Sequence, residues 1–292
     1  EKVLQEAKVG RGQVMVDVPR AIQFYLPVEG DNSTEILENL EKEVSTLDEN
    51  WTGVRPAKIP MVPELLTATQ FNTVVAEKED NKFYIGLNKA DSAVESLDLF
   101  TGNSIGIFSA NKKQLGLLAP FLIEQFFEQN CEVIIIDALK GLEDFSGKAK
   151  LYISRDDITN HLTELKETME SLMSQKDSEM KQIIIFNGIA DILEKNFYQQ
   201  AQFISLIEQN TSQRQLIFMD YQTKVGDNFS MPTVTVKENI TQILFGGELS
   251  SQHFIENLSL AVKNESYQRN VLHCVKDEEL YHIVVPIIQE EA

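Results

Sequence analysis

Residues 104–120 read SIGIFSANKKQLGLLAP: a short apolar run, a polar turn, and the start of an amphipathic stretch. SIGIF (104–108) predicts a strand and LGLLAPFLIEQFFEQ (115–129) a helix. The alternation continues outward. EVIIID (132–137), KLYIS (150–154), QIIIF (182–186), RQLIFMD (214–220) and TQILF (241–245) read as strands, and YHIVVPII (281–288) as a last one. Helices are expected over 156–174, where Ile158, Leu162, Leu165, Met169 and Leu172 share a face, over 190–209, and near 251–261. The strands around 107, 135, 184 and 217 are continuous apolar runs, not alternating ones. Such strands are covered on both sides, so the expected fold is α/β: a doubly wound, mostly parallel sheet with helices on both faces.

Toward the N-terminus the pattern differs. GRGQVMVDV and AIQFYLPV predict an extended ribbon around Pro19. A helix follows, capped by Asn32 or Ser33, with Ile36, Leu37, Leu40, Val44 and Leu47 at helical spacing. It should stop before WTGVRPAKIPMVPE, where Gly53, Pro56, Pro60 and Pro63 force an extended linker. Two regions result: 1–80, a ribbon, helix and Pro-rich strap packing on the core, and 81–292, the sheet domain.

The chain has 292 residues, 42% of them apolar, and a net charge of −19. That size supports a large core. The acidic balance, without clustered Lys or Arg, argues against nucleic acid and anionic lipid as direct ligands. No apolar run approaches the roughly 20 residues of a membrane span. The opening on Glu1 without a leader-like segment reads as a piece of something longer. Cys131 and Cys274 suit reduced thiols, and His161, His253, His273 and His282 lack the spacing of a metal site.

Ligands of an open parallel sheet bind at the strand carboxyl ends, so the turns there should carry function. A phosphate-binding turn needs glycines, a lysine and a Ser/Thr hydroxyl for Mg²⁺. Laid on that pattern, the turn Ser109-Ala110-Asn111-Lys112-Lys113-Gln114-Leu115-Gly116 puts Ser109 and Gln114 at the glycine positions, Leu115 at the lysine and Gly116 at the hydroxyl. Lys112 and Lys113 offer displaced phosphate ligands or plain solvated charge. After QIIIF, where a phosphate-hydrolysing site carries Asp and Glu, stand Asn187 and Gly188, with neither a magnesium-balancing charge nor a general base. Asp137 ends the strand EVIIID, with Lys140 and Gly141 close behind. Neither a catalytic set nor a metal site is visible.

Together these segments resemble the FtsK/SpoIIIE-type P-loop ATPase domains, and more narrowly the last ATPase domain of the coupling proteins of Firmicutes type VII secretion, the EssC/YukB-like proteins. IIIDALKG resembles the family's strand-Asp-x-Lys-Gly signature, with one residue inserted between Asp137 and Lys140. IIIFNGIAD resembles its IIIDEFAD, keeping Ala190 and Asp191. VGRGQVMV resembles the strand that closes a preceding ATPase domain; WTGVRPAKIPMVPE and FYIGLN resemble the linker and first strand of the next. The resemblance implies a RecA-like P-loop fold with degenerate Walker-type motifs, in the cytoplasmic part of a membrane-anchored protein. It implies as partners the adjacent ATPase domain, secreted small helical Trp-x-Gly proteins and effectors, and other secretion-system subunits. No cofactor is expected, ATP and magnesium entering only if the degenerate site still binds. A neighbour's arginine finger is family practice; Arg155 and Arg214 read as surface arginines. The leading reading is a non-hydrolysing recognition and coupling module. The alternatives are an atypical ATPase using Lys112 or Lys113 with Asp191, and a purely structural cap.

Overall fold

The computed structural model describes residues 11–15, 18–25, 27–54, 61–75, 77–129, 131–160, 162–174, 180–195, 200–208, 210–226, 231–250, 252, 254–255, 258–265, 268–276 and 279–288. The chain divides into two compact units, Glu1–Ile59 and Pro60–Ala292. Residues 60–80 thus belong to the larger unit.

The smaller unit holds an antiparallel hairpin of β1 (Arg11–Met15) and β2 (Pro19–Gln23), and the helix α1 (Ser33–Asn50). Asn32 caps α1, its side chain accepting from the amides of Thr34 and Glu35, and no residue of α1 is buried.

The larger unit opens with α2 (Ala68–Val74), β3 (Lys82–Asn88), β4 (Val94–Asp98), β5 (Ser104–Ser109) and α3 (Lys112–Glu128). Next come β6 (Glu132–Asp137), a 3₁₀ turn (Glu143–Phe145), β7 (Leu151–Ser154), α4 (Arg155–Asn160) and α5 (Leu162–Ser174). There follow β8 (Gln182–Asn187), α6 (Ile189–Lys195), α7 (Gln200–Glu208), β9 (Arg214–Tyr221), α8 (Gln222–Gly226) and α9 (Met231–Asn239). The unit closes with β10 (Ile240–Phe245), α10 (Leu260–Lys263), β11 (Val271–Lys276) and β12 (Glu279–Val284).

One ten-stranded sheet runs β4-β3-β12-β11-β10-β5-β9-β8-β6-β7. From β10 to β7 all neighbours are parallel, while β4, β3, β12 and β11 extend it antiparallel. The sheet is therefore mostly parallel but mixed. Successive strand residues alternate between two cores. Ile105, Ile107, Ile135, Ile185, Ile217 and Met219 face a cluster holding Leu118, Leu122 and Phe126 of α3. Phe108, Ile134, Ile136, Ile184, Phe186 and Phe218 face another, with Ile192 of α6, Leu206 of α7 and Val236 of α9. Helices thus cover both faces, which is why these strands read as unbroken apolar runs.

Some local expectations need correction. The helix expected from 115 begins three residues earlier, at Lys112, because Asn111 caps it there. Among their described residues the spans 156–174 and 190–209 are helical as expected, in α4 and α5 and in α6 and α7. Among the described residues near 251–261, helix begins only at Leu260. Gln252 explains this: its Oε1 accepts from the amides of Phe254 and Ile255 and its Nε2 donates to the Ile255 carbonyl, all at 2.7 Å, fixing a loop. Residues 55–60 of the strap, and His161 and His253, lie outside the described residues.

Candidate functional site at the strand carboxyl ends

The parallel register places Asp137 beside Asn187, Asn187 beside Met219, Ser109 beside Tyr221 and Phe108 beside Asp220. The ends of β5 and β8 are thus separated by one strand, β9, and four polar side chains share one sheet edge.

At the end of β5 the turn is short. Ser109 is fully buried and its Oγ has no hydrogen-bond partner. Only Ala110 and Asn111 separate strand from helix, so Lys112 and Lys113 are already helical, with exposed side chains. The Asn111 side chain accepts from the Gln114 amide at 3.0 Å. Gln114, 1% exposed, turns back into the turn. Its Oε1 accepts from the Ala110 amide at 2.6 Å, and its Nε2 donates to the Arg269 carbonyl at 3.2 Å. Room for this carboxamide comes from Gly246, where a Cβ would stand 2.1 Å from Gln114 Oε1. Leu115 is buried, and Gly116 is exposed with open space where a side chain would project. Lys112, Leu115 and Gly116, with Ala119, Leu139, Gly141 and Tyr221, enclose a recess of about 50 Å³.

At the end of β6, Asp137 is a fully buried carboxylate surrounded by donors. Its Oδ2 accepts from the Leu142 amide and the Tyr152 hydroxyl, each at 2.8 Å, and from the Gly141 amide at 3.1 Å. Its Oδ1 accepts from Asn187 Nδ2 at 2.7 Å. The acid therefore ties down the loop after its own strand and pins the end of β8. Burial, and then the bond to Asp137, push the Tyr152 hydroxyl up from its ordinary value. Lys140 lies in the left-handed region (φ 54°) and reaches away to Asp156 at 3.1 Å.

At the end of β8, Asn187 is fully buried; its Nδ2 serves Asp137, and its Oδ1 has no partner. Gly188 has φ 90°, and a Cβ there would lie 2.8 Å from Leu139 Cγ and 3.0 Å from Ala138 Cβ. The backbone at this position is one that only glycine adopts without strain.

Asp191, in α6, forms a 2.6 Å ion pair with Lys224 of α8. Beside them, Asp220 at the end of β9 is fully buried, accepting from the amides of Ala190 (2.8 Å) and Tyr221 (2.7 Å). Burial pushes its carboxyl up to about 6, against those two hydrogen bonds and the Lys224 charge. Burial alone would lower Lys224, but Asp191 and Asp220 outweigh it and hold the ammonium above its usual value. Asp220, Lys224 and Tyr152 escaped the sequence reading. Asp220 carried a usable signal: it closes the apolar run RQLIFMD as Asp137 closes EVIIID.

Arg155 is exposed as expected, but Arg214 is a correction. It is 4% exposed at the start of β9, its guanidinium donating to the Leu172 carbonyl. Neither cysteine is in a disulfide. Burial raises the Cys131 thiol to about 11 and Cys274 to about 12, values at which neither is a nucleophile near neutral pH. Among the described residues no cluster of three or more His, Cys, Asp or Glu is arranged to hold a metal ion, and no helix is long and apolar enough to cross a membrane.

No protein-family model matches the chain. It is 27% identical over 177 residues to the ESX secretion system protein EccC of Geobacillus thermodenitrificans, which covers 59% of this chain. It is 23% identical over 256 residues, 84% of this chain, to the type VII secretion system protein EssC of Staphylococcus aureus. The aligned regions span only 11% and 17% of those relatives. Among solved structures, EssC (ATPases 2 and 3) from Geobacillus thermodenitrificans superposes with a TM-score of 0.67 at 18% identity, over 99% of this chain and 57% of that one. Thermomonospora curvata EccC (ATPases 2 and 3), solved with a signal sequence peptide, gives 0.62 at 18% identity, over 99% and 55%. These neighbours share the RecA-like P-loop sheet, with the strand ends just described at its carboxyl edge. The chain is a homologue of the cytoplasmic ATPase domains of the EccC/EssC type VII secretion proteins, with the FtsK/SpoIIIE-type P-loop fold.

Proposed function

We propose that this chain is a non-hydrolysing ATPase-fold domain of a type VII secretion coupling protein, acting in substrate recognition and in coupling to neighbouring ATPase domains. The observation that carries this reading is the Gln114 carboxamide, which takes the Ala110 amide that a phosphate oxygen would need. Other features agree. The recess beside the turn holds about 50 Å³, against the roughly 300 Å³ or more of small-molecule pockets. The end of β8 presents a neutral amide and a glycine in place of an acid pair. Magnesium triphosphate does not fit the side chains present, and no cofactor belongs to the proposal.

The proposed ligands are signal segments of secreted proteins: small helical Trp-x-Gly proteins and effectors. The peptide-bound EccC structure motivates that class. The proposed setting is the last cytoplasmic domain of a membrane-anchored protein, beside an active ATPase domain and other subunits of the system.

Calorimetry with Mg-ATP tests the first half: no binding heat is expected, and tight metal-dependent binding overturns it. Titration with the C-terminal helix of a secreted substrate tests the second, which fails if nothing binds at high micromolar concentration. One observation favours an atypical nucleotide site, the position of Lys112 on the recess. That reading requires Mg-ATP binding that Lys112→Ala abolishes.

A further inference from the structure

The smaller unit carries a surface that the strand-end site does not explain. In α1 and its C-cap, Leu37, Leu40, Val44, Leu47 and Trp51 follow one another at steps of three and four residues. That is the a/d spacing of a helix that packs along one seam against another helix. The seam faces outward: Leu37 is 55% exposed, Val44 56%, Leu47 62% and Trp51 56%. With about 3.6 residues per turn, Glu41 borders the seam on one side and Glu43 on the other. Asp48 lies on the same side as Glu41, and the only lysine of the helix, Lys42, sits on the face away from the seam.

We infer that α1 docks a second amphipathic helix whose apolar seam is flanked by lysine or arginine. Charge selects this occupant. Two copies of α1 packed antiparallel about Lys42 set Glu41 against Glu41 and Glu43 against Glu43. Acid then meets acid on both flanks, so antiparallel self-pairing is opposed along the seam. A helix with basic flanks satisfies the same positions and gains an attraction that guides encounter and fixes register. The seam shares no residue with the strand-end site, and its fate is independent of whether nucleotide binds there.

Trp51, the only tryptophan of the chain, ends the seam and reports on it. The probe for the full chain is a tryptophan-free peptide of about three heptads with Leu at a and d and Lys at e and g. A twin carries Glu at e and g. The Lys peptide is expected to shift Trp51 emission to the blue, saturably. The Glu twin should bind at least about tenfold more weakly, and raising salt from about 0.05 to 0.5 M should weaken the Lys peptide comparably. Leu40→Asp with Leu47→Asp should abolish the shift. The decisive variant leaves the apolar seam intact: Glu41→Lys with Glu43→Lys should reverse the preference between the two peptides. Equal binding of both peptides, or no reversal, overturns the inference. So does a chain whose Trp51 emission is already blue alone. Sedimentation then separates a second copy on the seam, seen as a dimer, from the chain's own larger unit covering it, seen as a monomer.

Discussion

α1 and α3 start alike: each follows an asparagine whose side chain accepts first-turn amide hydrogens, and they run 18 and 17 residues. Their surroundings are opposite, for α1 buries nothing while α3 buries nine residues. The breadth of the apolar face separates them. In α1 it is a narrow stripe between acids. In α3, Leu115, Leu118, Phe121, Leu122, Ile123 and Phe126 spread around most of the helix. Cap and period specify that a helix forms; the width of its apolar face specifies how much must cover it.

The strongest way to break this comparison is to shorten one leucine in each helix. Leu122→Ala, at a position 0% exposed, should cost about 2–5 kcal/mol in denaturant unfolding. Leu47→Ala, at 62% exposure, should stay within about 0.5 kcal/mol. Similar losses at both positions would mean that α1 is covered in solution.

Enclosure also changes proton affinity. On β11, His273 is 7% exposed, with Nε2 3.2 Å from the Gly247 carbonyl. Burial first, then the His282 charge, lower it from 6.5 to about 4, although Glu265 pulls the other way. The unfolded chain therefore takes this proton first. The His273 contribution is whole above pH 6.5 and drains away as pH falls toward 4. Asp220, raised from 3.8 to about 6, takes its proton first in the folded state, so its contribution grows as pH falls through that window. Each is worth at most about 3 kcal/mol, and the two oppose one another. The parent's profile from pH 6 to 4 should thus be flat with respect to this pair. Relative to Asp220→Asn the parent should gain stability on acidification, and relative to His273→Gln it should lose it. Parallel profiles for all three proteins would refute the assignment.

Smaller effects sharpen the contrast at the helix starts. Gln114→Ala removes the acceptor of the Ala110 amide and the donor to Arg269, and should cost about 1–3 kcal/mol in chemical denaturation without creating Mg-ATP binding. Asn111→Ala and Asn32→Ala should each cost about 1 kcal/mol of helix stability. The first should appear in global unfolding of the larger unit and the second chiefly as lost far-ultraviolet helical signal.

The parallel strands were legible because a strand buried on both faces leaves an apolar run, as in QIIIF and EVIIID. The antiparallel strands β4 and β11 were not. VESLD puts only Leu97 in the core, and VLHCVK mixes polar and apolar residues at a sheet position shared with β10 and β12. At the site, the identities at 109–116 and 187–188 could be read, but not what those side chains do instead. That Gln114 folds back to the Ala110 amide depends on Gly246, 132 residues away in sequence (246 − 114). That Asn187 is pinned by Asp137 depends on the register of two strands.

Gly188 has a consequence for how such a chain can change over generations. Placing an acid there asks a side chain to enter a left-handed turn (φ 90°) already crowded by Leu139 and Ala138. Strain of that kind costs on the order of 1–3 kcal/mol before the new carboxylate does any chemistry. A lone acidic substitution is therefore opposed on stability, and the position accepts a side chain only where residues 138–139 are first reshaped. The local backbone thus decides which residue the sequence can carry there.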